Sequence, residues 1–167
     1  MRRIQDLLDI QYILGLVSNL GYLGALVAGL LGSSSLFISV FPSYIVIALL
    51  GTTLNPILVG VLGGIGAGIG QFLHYYVGLG GRRIIPENWK GRLDSWRRKL
   101  DKYGVLVIFA FAVTPLTPDD LIWIPLGAMK YPKLKALLAA VSGKILLNLA
   151  YAHVGYFGWE YFSHFFT

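Results

Sequence analysis

The stretch Phe109–Pro132, FAFAVTPLTPDDLIWIPLGAMKYP, limits the fold more than any other part of the chain. Two adjacent acids, Asp119 and Asp120, sit among prolines inside an otherwise apolar segment. The apolar runs on either side, Val105–Val113 and Leu121–Met129, are nine residues each. A helix needs roughly 20 residues to cross a bilayer, so neither run spans alone. Together they read as two half-helices that dip in and turn back, with Pro115 and Pro118 breaking the backbone at the tip. Backbone freed at membrane depth is tolerated only where protein or a wet cavity satisfies it. Two short helices joined by a surface loop are the plainer alternative.

The stretch has a twin. Pro42-SYIVIALL-Gly51-TTLN-Pro56 and Pro118-DDLIWIPL-Gly127-AMKY-Pro132 share one pattern: a proline, a glycine nine residues on, and a proline five further. Each is followed by a long apolar helix carrying a central glycine, an amide and a terminal glycine. These are Gly66, Gln71 and Gly78 in the first copy, and Gly143, Asn148 and Gly155 in the second. Five matching positions in order indicate an internal duplication, broken helices included. That is the sequence pointer to a transport site between two repeats.

The bilayer itself is inferred from composition. The 167 residues are 56% apolar and 13% charged, with mean hydropathy +0.66. A soluble domain carries roughly 25% charge, so the chain is an all-α integral membrane protein. One membrane domain over 1–167 is expected: repeat 1 at about 3–78, a basic connector at 79–103, repeat 2 at about 104–158 and an aromatic tail at 159–167. Arg2 and Arg3 precede a stretch without a clean apolar core or an A-x-A-like site, so no cleavable signal is expected. With no cysteine, disulfides and thiolate chemistry drop out. The net charge of +6 sits in clusters between apolar segments. Membrane lipids with acidic headgroups therefore suit it as partners better than nucleic acid.

Residues 3–31 divide into a partly amphipathic helix at about 3–18 and an apolar arm at about 21–31, with Asn19-Leu20-Gly21 as the break. A single tilted spanning helix is the rival reading. Ser33, Ser34 and Ser35 open a polar tip that closes at Phe41-Pro42-Ser43, carrying hydroxyls where the second tip carries acids. Ile57–Gly78 is a spanning helix of 22 uncharged residues. Its Gly60, Gly64 and Gly68, and Gly66 and Gly70 on a neighbouring line, let helix backbones approach closely. Such lines permit a homodimer and suit packing between the repeats equally well. A second spanning helix is expected at about 133–157.

Arg82–Lys102 holds eight Lys or Arg against Glu87, Asp94 and Asp101. Trp89, Leu93, Trp96, Leu100 and Tyr103 share one helical face, with Pro86 suited to the first turn. This is a basic amphipathic helix for the headgroup layer, with Arg82, Arg83, Trp89, Trp96, Arg97 and Arg98 at the lipid surface. Positive residues mark the cytoplasmic side. Lys130, Lys133 and Lys135 fall there too, so the first hairpin opens outward and the second inward, an inverted repeat.

Only Asp119, Asp120 and Lys144 fall at hydrocarbon depth. An ionised side chain at helix centre costs about 2.5–3.5 kcal/mol by insertion scales. The economical arrangement sets Lys144 against the tip carrying the two acids, either as a fixed ion pair or as a pathway. Two carboxylates beside one lysine leave a surplus negative charge, which suits one acid to carry a proton. At the first tip, Ser43 and Tyr44 start a half-helix with no acid, open to an anion such as a phosphate. Gln71 and Asn148 read as interhelical hydrogen-bonding groups, and His74 and His153 as interfacial or packing residues rather than metal ligands. His164 lies in the aromatic tail. No cofactor, metal or catalytic constellation emerges, so no enzyme is expected.

The chain resembles the DedA family, the prokaryotic branch of the VTT-domain (SNARE-associated Golgi protein) superfamily. The matching residues are the turn at Phe41-Pro42, HYYVGLGGRR at His74–Arg83, KYGVLVIFAF at Lys102–Phe111, Pro125–Asn148 and Gly155. The resemblance implies two facing re-entrant hairpins in a prokaryotic plasma membrane. It also implies lipid work: phospholipid scrambling, translocation of polyprenyl-phosphate carriers and proton-dependent physiology. The chain has Ser43 and Tyr44 where bacterial members usually place a glutamate, and Ala112 and Pro118 where they place arginines. Its PDD motif is similar to a shorter branch labelled small multidrug export proteins. The reading is a lipid translocase or scramblase. The alternatives are a proton-coupled exporter of small cations and a non-transporting scaffold.

Overall fold

The structure is a computed structural model that describes residues 20–34, 43–115 and 120–163, without the side chains of 120, 121, 160, 162 and 163. The expected helix at 3–18, and Ser35, Pro42, Pro118, Asp119 and His164, lie outside the described residues.

Six helices follow in order: α1 Tyr22–Ser34, α2 Ser43–Thr53, α3 Pro56–Gly81, α4 Glu87–Val113, α5 Asp120–Ala128 and α6 Lys133–Ser163. A short 3-10 turn, Arg82–Ile84, follows α3, and the described residues contain no strand. Two segments are long and apolar enough to cross a membrane, Pro56–Ile84 with 29 residues and Lys133–Trp159 with 27. At 1.5 Å per residue they reach about 44 and 40 Å, beyond the roughly 30 Å of hydrocarbon. The 13 residues of α1, 11 of α2 and nine of α5 reach only about 20, 17 and 14 Å. Large apolar side chains face outward, Leu106 at 65% and Val154 at 70% exposure, as a lipid-facing surface requires.

Local signals set the helix ends. The break before α1 falls at Gly21, whose φ of +56° is left-handed. Pro56 opens α3, and the Asn55 side-chain oxygen accepts the N–H groups of Ile57 at 3.0 Å and Leu58 at 3.3 Å. The Tyr22 hydroxyl accepts the Asn55 N–H at 3.3 Å, tying the start of α1 to the start of α3.

One expectation changes. The basic amphipathic helix and the apolar run Val105–Val113, expected as a separate half-helix, form a single helix, α4, of 27 residues. Nothing between Lys102 and Val105 breaks it, and Pro86 stands just before it as the cap residue. The expected apolar face also divides. Leu93 and Leu100 pack against the core of Tyr75, Ile108 and Trp123, whereas Trp89, Trp96 and Tyr103 are exposed. At 100° per residue the stripe at 89, 96 and 103 stands about 40–60° around the helix from that at 93 and 100, so the leucines face inward and the aromatics outward.

The packing falls into corresponding pairs. α1 lies on α3 as α4 lies on α6, and α2 lies on α6 as α5 lies on α3. α3 and α6 run antiparallel, with Gly60 against Leu149, Gly64 against Ile145 and Gly68 against Val141. Gly51 abuts the Ala152 carbonyl and Gly127 the Tyr75 carbonyl; Gly78 abuts that of Ile124 and Gly155 that of Ala48. Gly51 and Gly127 are 76 positions apart, as are Ala48 and Ile124. Tyr75 and Ala152 are 77 apart, as are Gly78 and Gly155. Both glycine lines of α3 are occupied within the chain, since Gly66 and Gly70 receive the Leu26 and Leu30 carbonyls of α1.

Candidate functional site

The end of α4 rests on α6. A Cβ placed on Gly143 would stand 2.7 Å from the Ala112 Cβ, 2.9 Å from the Phe109 carbonyl oxygen and 3.2 Å from the Val113 nitrogen. Gly143 therefore lets the last turn of α4 rest directly on the α6 backbone. It lies ten residues into α6, about 15 Å from its start. The Thr114 hydroxyl donates to the Ala110 carbonyl at 2.6 Å and the Thr114 N–H to Phe111 at 3.3 Å, satisfying carbonyls that the helix end releases.

Lys144 follows Gly143 and is buried, with 9% exposure. Asp120 begins α5, its side chain lying outside the description together with Asp119. Gln71, His74 and Asn148 are the other buried polar side chains among the described residues. His74 Nε2 lies 3.2 Å from the Ser34 carbonyl oxygen at the end of α1, a packing role. Asn148 was expected to bond between helices. Its amide N–H group instead donates to the Lys144 carbonyl of its own helix at 2.8 Å, while its oxygen faces Gly63 of α3. His153 lies 2.8 Å from the Leu149 carbonyl oxygen. On α2, Ser43 is partly buried and Tyr44 is half-exposed, its ring 5.9 Å from that of Tyr151. Pro115 is exposed just past α4.

The basic end carries more structure than the sequence suggested. Arg82 was expected at the lipid surface, yet its side chain is only 13% exposed. It donates to the Ala128 carbonyl at 2.6 Å and to both Asp94 carboxylate oxygens at 2.9 Å, joining α3, α4 and α5. Arg83, Trp89, Trp96 and Arg98 are exposed and Arg97 is partly buried. Lys90 pairs with Glu87 at 2.6 Å. The Tyr75 hydroxyl donates to the Tyr131 carbonyl at 2.7 Å. Burial, with the negative Asp101 nearby, raises the Tyr131 phenol above its ordinary range and keeps it neutral. Leu79, Arg82, Arg83, Lys90 and Lys130 line a cavity of about 470 Å³. A second, of about 460 Å³, lies where α2 turns into α3, lined by Thr52, Thr53, Asn55, His153 and Tyr156 among others. The described residues hold no cluster of His, Asp or Glu suited to a metal ion. The Arg82 clamp was missed because its partners are distant in sequence; the twelve-residue spacing to Asp94 alone carries no pairing signal.

These features agree with the comparisons to known proteins. Undecaprenyl phosphate transporter A of Bacillus subtilis (strain 168) is 28% identical over 158 residues, covering 87% of this chain and 76% of that protein. No solved structure matches the chain significantly. The family model described as VTT domain matches residues 41–157. That match takes in both glycine-bearing helices and well over half of the chain, which belongs to the VTT-domain family.

Proposed function

We propose that this membrane protein is a lipid translocase or scramblase, moving a phospholipid or polyprenyl-phosphate headgroup between leaflets while the tails stay in lipid. The observation that carries the reading is the end of α4 at mid-height on α6, beside buried Lys144. The name of the Bacillus subtilis relative points to the same substrate class. The reading takes the fold as an inverted repeat with two re-entrant hairpins, α1–α2 and α4–α5. The corresponding contacts, with their offsets of 76 and 77 positions, support it. Two opposed tips with polar groups shorten the hydrophobic barrier to a headgroup, whose full cost at bilayer centre is several kcal/mol per charge. Asp119 and Asp120 carry the proton or contact a headgroup amine. Lys144 holds the phosphate or balances the acids, and Ser35, Ser43 and Tyr44 line the opposite tip.

The test uses purified protein in liposomes, with leaflet exchange of fluorescent lipids followed by chemical bleaching of the outer leaflet. Wild-type protein is expected to exchange lipid without a pH gradient. Lys144→Met and Asp120→Asn are expected to slow exchange about tenfold or more, the scale of one lost charge-assisted contact, while membrane insertion is spared. Gradient-driven cation flux without lipid exchange would replace this reading with export. Unchanged behaviour in both variants would leave a non-transporting scaffold.

A further inference from the structure

The two cavities lie at opposite ends of α3. Ile57 lines one and Leu79 the other, 22 residues or about 33 Å apart, close to the thickness of the hydrocarbon layer. They also occupy corresponding places. The offsets that match Gly51 to Gly127 and Gly78 to Gly155 match Leu54 to Lys130 and Tyr156 to Leu79, and all four of these residues line a cavity. Their chemistry differs. The first offers Thr52, Thr53, Asn55 and His153 and no Lys or Arg, whereas the second offers Arg82, Arg83, Lys90 and Lys130.

Four cations line the second cavity, and the carboxylates paired with them are Asp94 on Arg82 and Glu87 on Lys90. Among the described residues no carboxylate pairs with Arg83 or Lys130. Lys130 is also held in an unusual backbone state. Its φ of 52° is left-handed, a conformation that ordinarily selects glycine or asparagine at a helix end. The Lys130 N–H donates to the Gly127 carbonyl at 2.9 Å and the Tyr131 N–H to Leu126 at 3.0 Å, which fixes the turn. A lysine where glycine would be relaxed directs attention to what its ammonium group does. Arg82, held by the Asp94 carboxylate and the Ala128 carbonyl, supplies a rigid wall.

We infer that this cavity is a docking site for a phosphoryl oxyanion, the terminal phosphate of a lipid headgroup or a free phosphate. It stands on the basic membrane face, opposite a neutral counterpart at the other. In the translocase reading, on which this rests, phosphate-bearing lipids dwell longer at the basic cavity than at the neutral one, so the two faces differ in affinity.

Binding is measured without transport. Isothermal titration uses full-length protein in nanodiscs of neutral phosphatidylcholine, with a short-chain phosphatidic acid or inorganic phosphate as titrant. Wild-type protein is expected to bind, and the tighter titrant identifies the source. Lys130→Gly is expected to bind about fivefold more weakly, the worth of one partly exposed ion pair, yet to melt no lower than wild type because the backbone strain is relieved. Arg83→Gln with Lys130→Gly compounds the loss to about 25-fold. Equal binding by wild type and the double variant overturns the site. Headgroup binding with no leaflet exchange in wild type supports the site and removes the translocase reading alone.

Discussion

Replacing Gly64 by alanine measures how tightly the two spanning helices depend on bare backbone. The new Cβ would stand 2.5 Å from the Ile145 nitrogen and closer still to its Cα, against the 3.4 Å at which ordinary contact begins. The obstacle is α6 backbone, which no rotamer change can move aside. α3 and α6 must separate locally by at least about 0.9 Å, and a gap of that size forfeits roughly a quarter to a half of the dispersion energy of each affected contact. Overpacking of this kind costs about 1–3 kcal/mol, which lowers the melting temperature of a chain this size by roughly 2–12 °C. Gly80 lies in the same helix with nothing within 4 Å of its Cβ position. Gly80→Ala should therefore be neutral or stabilising by up to about 1 kcal/mol through helix propensity. Thermal unfolding of both variants in one detergent, at several protein concentrations, makes the comparison. Equal melting of the two would refute the close α3–α6 approach. A Gly64→Ala loss that grows on dilution would instead assign the stripe to contact between two copies.

Gly51→Ala and Gly127→Ala each set a methyl group against a carbonyl of the partner helix, so each should lose a similar 1–3 kcal/mol or so. A difference beyond about 1.4 kcal/mol in unfolding measurements would count against their correspondence. Asn55→Ala removes the oxygen that caps α3 and should cost about 1 kcal/mol, read as a lower melting temperature that Asn55→Asp restores. Arg82→Gln strands the Ala128 carbonyl and frees Asp94, whose side chain is 45% exposed and rehydrates. The expected cost is about 1.5–3 kcal/mol, nearly all from the carbonyl, and Asp94→Asn alone should cost under about 1 kcal/mol. If the two variants are equally damaging, the carbonyl contact is not what holds α5 down.

Membrane class, both spanning helices and the places where the short helices start and stop were legible in the sequence, because each follows from local chemistry. Twenty-two uncharged residues are long enough to span, and Pro56 and Pro132 stand where the two long helices begin. The paired glycines were legible as matched spacings because close contact between helix backbones leaves no room for another residue type. What the sequence left open was which element each line of glycines meets, since a small-residue stripe is the same whether it faces α6, α1 or a second copy. Only the tertiary structure decided that, by bringing Val141, Ile145 and Leu149 onto one line and Leu26 and Leu30 onto the other. It also joined the basic connector and the apolar run Val105–Val113 as one helix, turned Arg82 inward to Asp94 and Ala128, and rested the last turn of α4 on Gly143. Each of these depends on residues far apart in the chain, whose approach is set by the packing of whole helices rather than by any short pattern.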